Sequence, residues 1–190
     1  MQTTVQTARR PAHAWTAVIV DENRPSREHL RMMVGAAGGA VVAEAVDVQG
    51  LIAVTKAYDV ILGEPRGAVE RCTRGPGSPV VVVTDDAALA QSATALADVM
   101  AVVLKPVRPA QLAVVVPLAV SRFRDLRTLQ QKLADRKLIE RAKGQLMARC
   151  GLTEEEAYRS LRRAAMNARR PIAAIARDVV DPASPQPQRA

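Results

Sequence analysis

From residue 15 onward the chain alternates short runs of Val, Ile and Ala with stretches whose apolar residues recur every three or four positions. The runs at 16–20, 41–45, 60–62, 80–83 and 100–104 are almost continuously apolar and mostly β-branched, which predicts strands covered on both faces. Helices are expected over 26–36, 48–57 and 87–97, with another starting at Pro109. Strand and helix in alternation imply an α/β fold with one parallel sheet, whose working residues gather at the carboxyl ends of the strands. Those polar residues are Asp21, Glu22, Glu64, Thr84 and Lys105. Around Glu64 the stretch GEPRGAVERCTRGPGS is short and rich in Gly, Pro and Arg, so the third helix is expected to be stunted or missing.

Another pattern takes over near residue 120. Leu112, Ala119, Leu126 and Leu133 recur at heptad spacing, with Val115 and Leu129 at the complementary positions. This predicts a helical connector over 121–136 with a weak coiled-coil seam, interrupted by Arg122 and Arg136 and kinked or divided at Pro117. Residues 137–181 then break into three small helices. Leu138, Ile139, Ala142, Leu146 and Cys150 give the first an apolar face, and Gly151 is placed for a left-handed cap. Thr153 and Glu156 have the spacing of a capping box. Ala157, Leu161, Ala164, Ala165 and Ala168 line the second helix; Tyr158, the one aromatic here, suits either base stacking or core packing, and its place beside Ala157 and Leu161 favours packing with them. Arg159, Arg162, Arg163 and Arg169 mostly face away. Pro171 suits the first turn of the third helix, whose apolar face is Ile172, Ile175, Ala176 and Val179.

Charge changes the picture. Residues 121–180 hold fifteen Lys or Arg against seven Asp or Glu, while the remainder of the chain holds twelve of each. The whole excess of +8 therefore lies in the helical region. A concentrated cationic surface attracts phosphate through counterion release, although arginines that only solubilise small helices would give the same count. Aromatics make up 2% of the chain, so the cores must be built from Ala, Val, Leu and Ile. No run of eighteen uncharged apolar residues exists, so no membrane span is expected. Residues 1–14 lack the apolar core of a signal peptide and, like the Pro-rich 182–190, read as a disordered tail of a cytoplasmic protein. Cys72 and Cys150 lie in no CxxC or His-rich context and read as reduced thiols. No catalytic constellation appears in the helical region, and no enzyme is expected.

Residue order sharpens this reading. Glu140-Arg141-Ala142-Lys143-Gly144, Leu146-Met147, Glu156-Ala157-Tyr158, Leu161 to Met166 and Ile172 with Ile175-Ala176 together resemble an ANTAR domain, over 137–181 without a gap. That resemblance implies an RNA-binding module of bacterial regulators, which recognises paired stem-loops in leader transcripts and prevents terminator formation. By the resemblance, Lys143, Gly144, Met147, Arg163 and Arg170 are the candidate RNA contacts. Gly144 would admit close backbone approach, while Lys and Arg reach phosphates or splayed loop bases.

Residues 15–120 resemble the receiver domain of two-component response regulators, a flavodoxin-like (CheY-like) parallel sheet. The resemblance makes Asp21 and Glu22 the acidic pair that would hold Mg²⁺, Thr84 the hydroxyl and Lys105-Pro106 the Lys-Pro step, with Glu64 where the acceptor Asp belongs. Four departures imply a degenerate, non-phosphorylated site. Glu64 is one methylene too long, Asp85 adds charge beside Thr84, Val102 replaces the switch aromatic, and the third helix is curtailed. Glu64 then either mimics a phosphorylated acceptor or simply pairs with Lys105. The overall expectation is an RNA-binding transcription antitermination regulator acting as a homodimer, with structured hairpin RNA as ligand. Its control would come from a regulatory partner protein or a histidine kinase. A DNA-binding response regulator and a protein-interaction adaptor are the competing readings.

Overall fold

Strands form where the β-branched runs predict them, and each is extended by about one residue. A computed structural model describes residues 14–47, 50, 54, 57–64, 77–93 and 98–181. The expected tails at 1–14 and 182–190, the helix expected at 48–57 and the curtailed segment after Glu64 lie wholly or mostly outside these residues. Strands β1 (Trp15–Val20), β2 (Gly39–Ala45), β3 (Val60–Gly63), β4 (Val80–Thr84) and β5 (Val99–Leu104) pair in parallel in the order β2-β1-β3-β4-β5.

Successive side chains of a strand point to opposite faces, and here both faces are covered. Ala17, Ile19, Val60, Leu62, Val81 and Val83 pack with Leu30 and Val34 of α1 (Arg24–Ala36) and with Leu112, Val116 and Ala119 of α3 (Pro109–Cys150). Val18, Val20, Ile61, Val80 and Val82 make the other face, with Ala93 of α2 (Ala87–Ala93). Because neither face is wet, the strands read as continuous apolar runs rather than alternating ones. The chain reverses its direction of sheet-building between β1 and β3. Asp21 and Glu64 follow those two strands, at the place where such sheets keep their sites.

Two compact units divide at residues 125 and 126. In the second, residues 126–150 of α3 are joined by α4 (Glu154–Ala168) and α5 (Ile172–Val180). Ala142, Leu161 and Ala176 form its buried centre, ringed by Leu138, Ile139, Leu146, Ile172, Ile175 and Val179. Gly151 adopts φ +64 and its N–H donates to the Met147 carbonyl, closing α3 as its sequence position predicts. The capping box is complete, with Thr153 and Glu156 bonding each other's backbone N–H.

Several expectations are corrected here. Pro117 does not divide α3, which is a single helix of 42 residues. Pro117 and Ala113, whose carbonyl loses its bond, are both exposed, so solvent can serve that carbonyl. The heptad is not one seam. Leu112 and Ala119 are buried in the sheet core with Val115 packed against it, whereas Leu126, Leu129 and Leu133 are exposed. The inward stripe of α4 is narrower than expected, because Ala157, Leu161 and Ala165 are buried but Ala164 and Ala168 are exposed. Cys150 is exposed as well. Tyr158 lies outside the core, 45% exposed.

Candidate functional site

The receiver-like residues come together only in part. Asp21 is buried at the end of β1, but its Oδ1 accepts from the Asn23 N–H (2.8 Å) and its Oδ2 from the Ser26 hydroxyl (2.6 Å). Its carboxylate thus organises the start of α1, where Asn23 in turn caps the Ser26 N–H (3.1 Å). Glu22 and Asp85 face solvent. Thr84 is fully buried, and its Oγ1 accepts from the Asp86 N–H (3.1 Å) at the start of α2. Lys105, whose peptide to Pro106 is cis, donates from Nζ to Glu64 Oε2 at 3.2 Å. The expected Mg²⁺ pair is not assembled, since the Asp21 oxygens are engaged within their own turn and Glu22 points out. Among the described residues no group of three or more His, Cys, Asp or Glu is placed to hold a metal ion.

The cationic module separates its basic residues into two kinds. Lys143 is 8% exposed, and its ammonium lies 2.7 Å from both Glu140 and Glu154. It clamps α3 to the start of α4, and little of its side chain is exposed. Arg170 is likewise engaged, forking onto Asp178 at 2.7 and 3.5 Å and so fastening the turn between α4 and α5 to α5 itself. Both are expected RNA contacts; in the structure each has its charged group held by carboxylates of the domain itself.

Gly144, Met147 and Arg163 are exposed, as that role requires. A Cβ on Gly144 would meet nothing within 4 Å, so the fold has no steric need of glycine in this helix interior. Lys137, Arg141 and Ala148 are exposed at helical spacing around it. Sequence reasoning gave no contact role to Arg162 and Arg169, both exposed, or to Tyr158 and Met166, which are 45% and 69% exposed. Among the described residues, no ion pair or hydrogen bond engages the guanidinium of Arg162, Arg163 or Arg169. Tyr158 could have been found, because it sits one residue off the Ala157–Leu161–Ala165 line and so turns outward.

The clamp has a pH signature. Hydrogen bonding to Glu140, then to Glu154, raises the Lys143 pKa against the opposing effect of burial. The Lys143 hydrogen bond lowers the pKa of Glu154, and the Thr153 backbone N–H and hydroxyl lower that of Glu156. For the two glutamates the folded pKa lies below the unfolded one. Their stabilisation is present above about pH 4.5 and is lost as pH falls through the folded values. For Lys143 the sign reverses, and its contribution persists up to about pH 10.5 and is lost as pH rises through the folded value. Thermal unfolding of the second unit should therefore show a plateau between these limits and a fall on both sides. A Lys143→Met variant should lose the alkaline fall and blunt the acid one; an unchanged profile would remove the clamp from the account.

The ANTAR domain family model matches residues 127–180. That stretch is an ANTAR domain. The match takes in the connector leucines Leu129 and Leu133. The chain is also similar to the transcriptional regulatory protein PdtaR of Mycobacterium tuberculosis, in two strains, with 39% identity over 92 residues. The similarity covers 45% of this chain and 45% of PdtaR, so the chain spans about half the length of the curated relatives it matches. Among solved structures, the signal receiver domain of a modulated diguanylate cyclase from Desulfovibrio desulfuricans G20 superposes with a TM-score of 0.50 at 19% identity, over 58% of this chain and 96% of that one. NtrX from Brucella abortus gives 0.51 at 18%, over 62% and 29%. At such identity the likeness establishes the fold alone: a receiver-type parallel sheet stands ahead of the ANTAR domain.

Proposed function

We propose that this chain is an RNA-binding transcription antitermination regulator, working in the cytoplasm as a dimer on paired stem-loops of leader transcripts. The observation that carries the reading is the outer surface of the ANTAR domain. There Arg162, Arg163 and Arg169 stand exposed and free of internal partners, while Gly144 leaves a notch in α3 among Lys137 and Arg141. Unpaired cations attract the phosphate backbone, and a missing Cβ lets that backbone approach the helix. Holding a leader hairpin in this way would block the alternative terminator fold.

Dimerisation is supported by Leu126, Leu129 and Leu133, spaced three and four apart and 46%, 57% and 60% exposed. A second copy of the same stripe would bury them as a short two-stranded seam. The receiver-type unit controls this module without phosphotransfer in this reading. Glu64 already places a carboxylate against Lys105 in a part-buried pair, and so serves as a fixed charge at this position. A regulatory partner protein or a kinase docking on this unit would supply the signal.

Sedimentation of the full chain with a hairpin-RNA library and with duplex DNA tests the reading. Hairpin binding with steep salt dependence, in a complex of two protomers, is the expected result. Preference for duplex DNA would favour a DNA-binding regulator, and binding to neither would favour a protein adaptor. Gly144→Ala separates contact from folding. Alanine in an exposed helix interior should stabilise the domain by about 0.5–1 kcal/mol, yet weaken hairpin binding several-fold by blocking the notch. Higher stability with unaltered affinity would show that no ligand comes near Gly144.

A further inference from the structure

We infer that Tyr158, Arg162 and Met166, with Arg169 at the end of the same helix, form a stacking platform for unpaired bases of an RNA loop. The inference rests on the RNA-binding reading and deepens it. Ala157, Leu161 and Ala165 bury one face of α4. Tyr158, Arg162 and Met166 follow one another at four-residue spacing and are all exposed, so they form a line along a different face. At 1.5 Å of rise per residue the line is about 12 Å long. That is room for roughly three bases at about 3.4 Å separation.

Each position suits a base better than it suits water or the fold. Tyr158 is one of two tyrosines in a chain with 2% aromatics, and it stands 45% exposed beside the buried Ala157 and Leu161. An aromatic ring next to a guanidinium plane offers two stacking surfaces that accept any base, with cation attraction added. Arg162 keeps that plane available because no carboxylate among the described residues engages it, unlike Arg159, which pairs with Glu155 at 3.0 Å. Arg169 adds a second, independent observation. It ends α4 at φ 51, ψ 39, the left-handed conformation that glycine adopts freely and an L-residue adopts only at a cost. The fold would be better served by glycine there, whereas an exposed, unpaired guanidinium serves a ligand. The occupant must be single-stranded, because paired bases in an A-form stem present no faces; loops do.

The full chain would first be used to select binders from a pool of hairpins with randomised loops. A selected hairpin is then labelled in its loop with 2-aminopurine, and a control is made with the loop replaced by a non-nucleotide linker on the same stem. Tyr158→Ala should weaken binding of the looped RNA by roughly 5- to 150-fold, the range for loss of one base–aromatic stack, and abolish quenching of the loop fluorophore. Binding of the loopless control should be unchanged, and Tyr158→Phe should behave as wild type. Arg169→Gly should raise the melting temperature while weakening the looped complex. If Tyr158→Ala binds and quenches like wild type while Arg163→Ala still weakens the complex, the platform is overturned and the RNA-binding reading stands. If the unaltered chain enriches no hairpin at low salt, that reading fails and the platform with it.

Discussion

Leu161→Ala should unfold the ANTAR domain while leaving the receiver-type sheet intact. Leu161 is 1% exposed and is the largest fully buried side chain of the second unit, where its core neighbours Ala142 and Ala176 are alanines. The surrounding ring of Leu138, Ile139, Leu146, Ile172, Ile175 and Val179 would have to shift to fill the space it vacates. Truncating a buried leucine costs about 2–5 kcal/mol, most where the surroundings cannot collapse. A module of this size has little more than that in reserve, since small domains bury a smaller fraction of their surface. Far-ultraviolet circular dichroism should show loss of helix at ambient temperature, with amide exchange still slow in β1, β3 and β4. Retention of full helix content would mean that the domain is held by something other than this core.

Gly63→Ala is the second large effect, and it falls on the other unit. A Cβ at Gly63 would lie 2.3 Å from the Val20 carbonyl oxygen, the atom that accepts the Glu64 N–H at 3.3 Å. The obstacle is backbone in the neighbouring strand, so no side-chain rotation relieves it; β1 and β3 must part. Overpacking of this kind costs typically 1–3 kcal/mol, and the lost hydrogen bond puts this case at about 3 kcal/mol or above. The urea midpoint of the first unit should fall accordingly, and Glu64 should move away from Lys105. A midpoint within error of wild type would contradict the strand spacing at the end of β3.

Strands were legible because burial on both faces leaves a one-dimensional signature: almost continuously apolar runs, with the polar site residues where the runs end. The starts of the small helices and the finish of α3 were legible for a different reason. Gly151, Thr153 with Glu156, and Pro171 each solve a local backbone problem that depends on neighbours in sequence alone. What escaped the sequence depends on the third dimension. Heptad spacing cannot tell a leucine that meets its own sheet, such as Leu112, from one that meets solvent, such as Leu133. The sequence offers Glu140 as a partner for Lys143 one turn away, but the second partner, Glu154, is brought in only by the turn at Gly151. Lys143 therefore looked like a free cation. Arg169 carries no signal at all, because glycine is the residue that marks a left-handed cap.

The clamp at Lys143 also gives the ANTAR domain a lengthwise polarity. Its single ammonium sits among Glu140 and Glu154, with Glu155 and Glu156 following, so the amino-terminal end of α4 carries surplus negative charge. The guanidinium groups of Arg162, Arg163 and Arg169 stand toward the opposite end. A polyanion drifting toward such a gradient is turned before it touches, repelled at one tip and drawn to the other. Arg162, Arg163 and Arg169, clear of these carboxylates, should then contribute most to the slope of affinity against ionic strength.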